Sequence, residues 1–370
     1  MKKKTSRKKR KYLLKSAGHQ PDWWLVGTVV VLALFGLVMI ANASAVEADR
    51  DFADKYYYFR QQAQWVGLGL IAFGIASVFP YQRLKKITPI LLFGALLSLV
   101  LVLLPKLGFL RFGARRWLTI GGINFQPSEL TKLAFIVYLA AFLENKRNVL
   151  PLLIIAGLIV VLVMLQPDLG TTLIILTSGA VVYFVAGAPV VHLLVGGAIG
   201  FFGGLGLIFT SPYRKERFLT FLNPLRDPLG ASYHIHQILI ALGSGGLFGL
   251  GIGQSRQKYE YLPAVTTDSI FAVIAEELGF VGASVLILIF IFLIWRGLKI
   301  AQQTSGQFGQ LLATGITAWV GIQALINLAA MVALVPLTGV PLPFVSYGGS
   351  SLLLSLTAMG ILVNISKQTI

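Results

Sequence analysis

A short polar segment between two long apolar stretches carries the residues best suited to chemistry. Residues 256–279 read RQKYEYLPAVTTDSIFAVIAEELG. Three acids, Asp268, Glu276 and Glu277, fall within ten residues and lead into an apolar helix. A charged residue at the centre of a membrane helix costs about 2.5–3.5 kcal/mol on insertion scales, so such acids indicate a functional site.

Two interpretations of Asp268 follow from its position. Asp is among the best N-cap residues, and Asp268 stands where the following helix should begin. The dipole of that helix would then partly stabilise Glu276 and Glu277. Alternatively, the Asp268 carboxylate is a general base that deprotonates an acceptor hydroxyl at the membrane surface. The sequence leaves both interpretations open.

Two loops that the predicted topology places outside the cell are rich in arginine. Positive charge normally avoids external loops, so we expect an anionic ligand there. Arginines that contact lipid head groups are the alternative. Arginine forks suit phosphate oxygens, and a diphosphate would need several of them. The cations are Lys106, Arg111, Arg115 and Arg116, close to Trp117, in the first loop, and Arg214, Lys215, Arg217 and Arg226 in the second.

A base beside a cationic site of this size is what glycosyl transfer from a lipid diphosphate requires. Asp268 would deprotonate the acceptor hydroxyl while the cations stabilise the departing diphosphate. A divalent cation (Mg²⁺ or Mn²⁺) bridging the diphosphate is compatible with this chemistry, although no ligand cluster in the sequence specifies one. Lys132 either pairs with Glu129, three residues earlier, or reaches toward the bound anion.

The composition indicates that membrane helices position these residues. The chain has 370 residues, of which 56% are hydrophobic and only 12% charged, and its mean hydropathy is +0.79. Soluble domains carry roughly 25% charged residues. Several apolar stretches are long enough to cross a hydrocarbon core of about 30 Å. The chain contains no cysteine, which excludes disulfides and thiolate metal sites.

We predict an all-α polytopic membrane protein with about ten transmembrane helices and both termini in the cytoplasm. Residues 1–22 form a basic cytoplasmic tail that contacts anionic lipid rather than nucleic acid. Residues 23–370 form one transmembrane domain, with a large extracytoplasmic loop, 211–268, between helices 7 and 8. The predicted spans are 23–44, 62–79, 87–104, 129–143, 149–165, 170–187, 190–210, 269–295, 311–335 and 349–365.

Within the large loop, residues 231–248 are apolar but too short to cross a membrane. We expect a helix that is interfacial or re-entrant and packs on the bundle. His234 and His236 are two residues apart and fall on different faces of that helix, which disfavours a shared metal and favours polar contacts within the loop.

Two further segments are typical of turns and close packing. The glycine-rich residues 243–255 lack the GK[ST] ending of a phosphate-binding loop, so we expect the glycines to allow close approach to another helix or a lipid chain. Residues 341–351, PLPFVSYGGSS, predict a re-entrant turn in which Ser346 and Ser350 cap the last helix.

Seven motifs, taken together and in order, resemble the SEDS proteins (shape, elongation, division and sporulation), which are the FtsW/RodA peptidoglycan glycosyltransferases. The resemblance covers nearly the whole chain and is closer to the cell-division FtsW type. The motifs are GARRW (113–117), FQPSELTK (125–132), QPDLGTT (166–172), FLNPLRDPLGASYHIHQ (221–237), ALGSGGLFGLGIGQSRQK (241–258), LPAVTTDSIFAVIAEELG (262–279) and PLPFVSYGGSS (341–351).

The resemblance implies an inverting peptidoglycan polymerase on the outer face of the bacterial cytoplasmic membrane. It would use lipid II and release undecaprenyl diphosphate. It would work with a class B penicillin-binding protein transpeptidase and other division or elongation proteins. The family's catalytic aspartate falls on Asp268. We predict that the substrate-binding residues are Arg115, Arg116, Lys132, Arg214, Arg217, Gln257, Lys258, Ser346 and Tyr347.

The chain departs from the family pattern at three positions near Asp268. The family often has Glu and His where this chain has Ala264 and Thr266, and Phe where it has Ser269. If that histidine aids catalysis, this protein must manage otherwise.

Two other functions compete with glycosyl transfer: a lipid II flippase, and a non-catalytic scaffold that recruits a transpeptidase. A transporter should carry ionisable residues near the membrane midplane. Here the acids and arginines gather at one outer face, which favours the enzyme. A scaffold would leave both Asp268 and the outer arginines unexplained.

Overall fold

The computed structural model describes residues 20–111, 114–121, 123–145, 149–210, 212–224, 227–228, 230–258 and 262–368. Most of the predicted basic tail therefore lies outside the described residues. The helices within the described part of the chain are α1 Trp23–Ala43, α2 Ala45–Phe52, α3 Tyr57–Val78, α4 Leu84–Leu101, α5 Pro127–Leu143, α6 Leu150–Met164, α7 Leu169–Val185, α8 Val190–Phe209, α9 Pro212–Leu222, α10 Tyr233–Ser244, α11 Ile270–Gln303, α12 Gln307–Met331 and α13 Gly349–Ser366.

Each of the ten predicted spans coincides with one of these helices. Among the described residues, six helical segments are both long and apolar enough to cross a membrane, and they contain α1, α4, α8, α11, α12 and α13. Helices α6 and α7 are apolar but shorter. The fold is therefore mostly helical, as predicted.

The most buried helices are α5, α12 and α13. Helix α13 packs along α3, and α12 packs against α5, α7 and α11. Trp319 of α12 is fully enclosed at the centre. Helix α8 differs from them, because none of its side chains is buried. Its apolar surface would be in contact with lipid in a membrane.

The all-α prediction is wrong for the first arginine-rich loop, which contains a three-stranded antiparallel sheet. Strands β1 Gly108–Arg111, β2 Ala114–Ile120 and β3 Ile123–Phe125 pair in that order. Residue Gly121, with φ of 58°, allows the tight turn between β2 and β3. The alternation of apolar and polar residues around the Gly-Gly pair at 121–122 is a hairpin signal in the sequence.

Helix α11 is interrupted at Gly279, where φ is 68° and ψ is −170°. The carbonyls of Glu276 and Glu277 accept hydrogen bonds at 3.0 Å from the N–H groups of Leu250 and Gly251. Two N–H groups just beyond the interruption donate in return to the glycine-rich segment, at 2.9 and 3.1 Å. The predicted close approach of these glycines to a helix is thus confirmed.

Candidate active site

Asp268 lies one residue before the position that caps α11. The N-cap residue is Ser269, and its side chain makes no capping hydrogen bond. The half-buried Asp268 carboxylate accepts a hydrogen bond from the Thr267 hydroxyl, with 2.9 Å between Oδ1 and Oγ1. The interpretation of Asp268 as a helix cap is therefore wrong. Helix capping does not account for an acid at this position.

The main chain of Asp268 is held by α12. The buried Asn327 side chain donates from Nδ2 to the Asp268 carbonyl at 2.9 Å and to the Val340 carbonyl at 2.8 Å. The Tyr347 N–H donates to the Thr266 carbonyl at 2.8 Å. The loop that carries Asp268 and the loop before α13 are thus joined to each other and to the core of the bundle.

A cavity of about 230 Å³ lies beside this loop, between α9, α10 and residues 335–337. His234 and Arg217 line it, and His234 Nε2 is 2.7 Å from Ser269 Oγ. Partial burial lowers the pKa of His234; the Asp268 carboxylate opposes this shift, and the Arg217 charge adds to it. The cavity wall therefore carries a cation and an imidazole next to the candidate base.

Three of the four predicted cations of the second loop, Arg214, Lys215 and Arg217, lie on α9. Arg217 donates from Nη1 to the Leu337 carbonyl at 2.9 Å, which places its guanidinium on the cavity wall. Arg214 donates from Nη1 to the Leu207 carbonyl at 3.3 Å. Of the two, Arg217 is the one whose charge, like that of Asp268, acts on the pKa of His234.

The two arginines of the first loop have different surroundings. Arg116 donates from Nε to the Gln166 carbonyl at 2.9 Å and from Nη2 to the Pro167 carbonyl at 2.5 Å. It therefore fixes the turn between α6 and α7. The Nε atom of Arg115 is buried, and no described atom accepts a hydrogen bond from it. Contact of either arginine with an anion stays a prediction.

Lys132 is buried in α5 and pairs with Glu129, with 2.8 Å between Nζ and Oε1. This confirms the first of its two predicted interactions. Its Nζ also donates to Gln323 Oε1 at 2.7 Å and lies 5.0 Å from the centroid of the Trp319 ring. Gln323 in turn donates to the Pro341 carbonyl at 3.0 Å. Contact between Lys132 and a diphosphate stays a prediction.

Glu276 and Glu277 are fully buried and hold the turn before the Asp268 loop. Glu276 accepts from the Ser255 hydroxyl at 2.5 Å and from the Arg256 N–H at 3.0 Å. Glu277 accepts from the Ser255 N–H at 3.1 Å and from the Asn42 side chain of α1. The adjacent acids thus serve the architecture of the site, a role that the sequence did not determine.

Gln257 and Lys258 belong to the same buried cluster. Lys258 Nζ is 3.4 Å from Glu277 Oε1 and donates to Asn42 Oδ1 at 2.9 Å and to the Gly253 carbonyl at 2.5 Å. The Gln257 N–H lies 3.4 Å from Glu276. The structure therefore places both residues with the paired acids, and their substrate contact stays a prediction.

Replacing Glu277 with Gln is expected to destabilise the fold strongly. Removing one partner of a buried ion pair costs about 3–5 kcal/mol, because the remaining charge loses its compensation. The measurement is thermal unfolding of the purified protein in detergent. Adding Lys258→Met to Glu277→Gln should recover more than half of the lost stability. If Glu277→Gln alone unfolds at the wild-type temperature, the pair does not have this role.

The predicted serine caps of the last helix are wrong, because the N-cap residue of α13 is Gly348. Ser346 Oγ instead accepts from the Leu342 N–H at 2.8 Å. Ser350 Oγ accepts from the Gln126 N–H at 3.2 Å. The hydroxyl of Tyr347 donates to Gln61 Oε1 at 2.7 Å. Both serines therefore join the turn to itself and to α5 rather than ending a helix.

Of the predicted loop cations, Arg226 lies outside the described residues, as does the side chain of Arg111. Across the described ranges, no group of three or more His, Asp or Glu could hold a metal ion. A divalent cation would then need most of its ligands from the diphosphate itself, and its participation stays a prediction.

Gln323 and Asn327 are not among the predicted site residues, although the sequence carries a signal for them. They are polar residues four positions apart on the mostly apolar helix α12, so they lie on one face. His234 was expected to make polar contacts, but its position beside Asp268 depends on how α10 packs.

Replacing Asn327 with Leu is expected to lower the turnover number about 10- to 100-fold, because a displacement of about 1 Å at a reacting group has an effect of this size. Leucine has a similar volume but donates to neither the Asp268 nor the Val340 carbonyl. The measurement is the initial rate of the glycosyl transfer from lipid II that the sequence predicts. Leu325→Ala, at an exposed position on the same helix, is the control and should keep the wild-type rate. A wild-type rate for Asn327→Leu would contradict the positioning role.

The long apolar helices and the polar site at one end of the bundle define a multi-pass membrane protein. The chain belongs to the FtsW/RodA/SpoVE family of cell cycle proteins, whose family model matches residues 22–370.

Similar proteins and structures extend over nearly the whole chain. It is 42% identical to the stage V sporulation protein E of Bacillus subtilis (strain 168), over 94% of this chain and 98% of the relative. It is 39% identical to the probable peptidoglycan glycosyltransferase FtsW of Geobacter sp. (strain M18), over 94% and 97%.

Two solved structures show the same fold. A chain in a peptidoglycan synthase complex matches with a TM-score of 0.77 and 32% identity, over 94% of this chain and 97% of that one. The rod shape determining protein RodA of Thermus thermophilus matches with a TM-score of 0.69 and 31% identity, over 94% and 97%.

Proposed function

We propose that this protein polymerises peptidoglycan on the outer face of the cytoplasmic membrane by inverting glycosyl transfer from lipid II. The observation that carries the proposal is the Asp268 carboxylate, which caps no helix and lies beside a cavity lined by Arg217 and His234. The similarity to probable peptidoglycan glycosyltransferases supports it.

In the proposed mechanism Asp268 takes the proton of the acceptor sugar hydroxyl. The acceptor oxygen forms a bond to the anomeric carbon of lipid II, and the bond from that carbon to the diphosphate oxygen breaks. Undecaprenyl diphosphate leaves with the electron pair. Arg217 on the cavity wall, together with Arg115 of the first loop, would stabilise its developing charge.

The proposed topology has ten crossings with both termini in the cytoplasm. The ten predicted spans coincide with helices, and α9, α10 and the Asp268 loop then lie outside the cell. The basic residues 1–22 would remain in the cytoplasm, where the positive-inside rule favours them.

We further propose a class B penicillin-binding protein transpeptidase as partner, alongside other division or elongation proteins. The similarity to a chain of a peptidoglycan synthase complex, whose structure concerns polymerization and crosslinking, supports a transpeptidase partner.

The test uses the purified protein in proteoliposomes that carry fluorescent lipid II, with and without its cognate transpeptidase. We expect glycan polymer. Movement of lipid II across the bilayer without polymer would favour the flippase. Binding of the transpeptidase with neither polymer nor movement would favour the scaffold.

A further inference from the structure

His234 is a histidine beside Asp268 that the proposed mechanism does not use. It lies in the first turn of α10, and its Nε2 is 2.7 Å from the hydroxyl oxygen of Ser269. Ser269 is fully buried and follows Asp268 directly in the chain. The imidazole is thus joined to the segment that carries the candidate base by one hydrogen bond.

The hydrogen bonds of the ring fit a neutral imidazole. Its second partner is the main chain of Pro263, which has a carbonyl but no N–H and must therefore accept from the ring. In the neutral tautomer whose other nitrogen donates to Pro263, Nε2 accepts from the Ser269 hydroxyl. A single proton on the ring is enough for both bonds, whereas an imidazolium would have to donate at both nitrogens.

The charges around His234 shift its pKa in opposite directions. Partial burial is the largest influence and lowers its pKa, the Asp268 carboxylate raises it, and the Arg217 guanidinium lowers it. Glu216 of α9 also lines the cavity, and no residue of the 335–337 segment carries charge. The neutral ring is therefore favoured at neutral pH, while Asp268 lies close enough to affect its titration.

We propose that His234 is a positioning residue for the reaction: its neutral ring, bonded to Ser269, keeps the Asp268 carboxylate available to the acceptor hydroxyl. Protonation of the ring would place an imidazolium next to Asp268. The carboxylate would then be held by this new positive charge and would be a weaker base. The inference rests on the proposed function and adds to it a histidine that switches the base off in acid.

The first experiment compares pH–rate profiles of lipid II polymerisation for wild type and His234→Gln. The wild-type rate should fall as the pH drops through the pKa of His234. In His234→Gln this acid limb should move to lower pH, and the rate at pH 8 should fall about 10-fold because the base is less well positioned. His236→Gln, two residues along the same helix, should keep the wild-type acid limb.

A second measurement does not depend on activity. NMR titration of histidine-labelled protein should give the pKa of His234, one of four histidines, assigned by its absence in His234→Gln. Asp268→Asn should lower that pKa, because it removes a negative charge, and Arg217→Gln should raise it. Absence of both changes would show that the ring is not coupled to the charges of the site.

The outcomes separate this inference from the proposed function. Polymer from wild type, with the same acid limb in His234→Gln, would overturn the inference alone. If His234→Gln is inactive, a His234 titration that does not change in Asp268→Asn would overturn it. Absence of polymer from wild type at every pH would reject the proposed function and the inference with it.

Discussion

Asp268→Asn is expected to abolish lipid II polymerisation while leaving the fold intact. The amide cannot take the acceptor proton, and loss of a general base lowers a rate about 10²- to 10⁴-fold. The Asp268 carboxylate caps no helix, and its side-chain hydrogen bond comes from the neighbouring Thr267. An amide oxygen can accept that bond equally well. The measurement is glycan polymer formed per unit time, together with the unfolding temperature.

The matched control for this substitution is Asp51→Asn. Asp51 is an exposed aspartate whose carboxylate pairs with Arg50 at the surface. Its substitution should change neither rate nor stability, because a solvent-exposed ion pair contributes little to folding. Unfolding of Asp268→Asn at a much lower temperature would show that Asp268 has a structural role instead.

Gly249→Ala is expected to destabilise the protein by more than any surface substitution. Gly249 has φ of 83°, and an added Cβ would lie 2.1 Å from the Glu277 carbonyl oxygen. The obstacle is backbone, which cannot rotate away, so the glycine-rich segment must withdraw from α11. We expect about 1–3 kcal/mol for the overpacking, added to about 1–2 kcal/mol for the left-handed backbone.

Gly246→Ala separates these two contributions. Gly246 also has a positive φ, 54°, but an added Cβ would meet nothing within 4 Å. Gly246→Ala should therefore lower the free energy of unfolding by the backbone contribution alone. The measurement is thermal unfolding in detergent. Equal losses for the two variants would show that the close approach to the Glu277 carbonyl is unimportant.

The parts of the fold that depend on local pattern were predictable from the sequence. The ten predicted spans coincide with helices, because an apolar stretch that enters lipid must satisfy its own backbone groups. The pair of Lys132 and Glu129 follows from a spacing of three residues on one helix. The glycine-rich segment approaches a helix because its composition favours close backbone contact.

The parts of the site that depend on tertiary contacts were not predictable in this way. Asp268 misses the cap position by one residue, and its carbonyl is bound instead by Asn327, which lies far away in the chain. The role of Glu276 and Glu277 depends on the turn around Ser255 folding back onto α11. His234 reaches Ser269 through the packing of α10, which no local pattern specifies.

The most direct test of the central claim measures lipid II binding and turnover in one preparation of Asp268→Asn. If Asp268 acts on the acceptor proton and not on the donor, the variant should bind lipid II with a Kd within about 3-fold of wild type, a difference of less than 1 kcal/mol. It should form no polymer. Polymer at the wild-type rate, or loss of lipid II binding by the folded variant, would contradict the assignment of Asp268 as the general base.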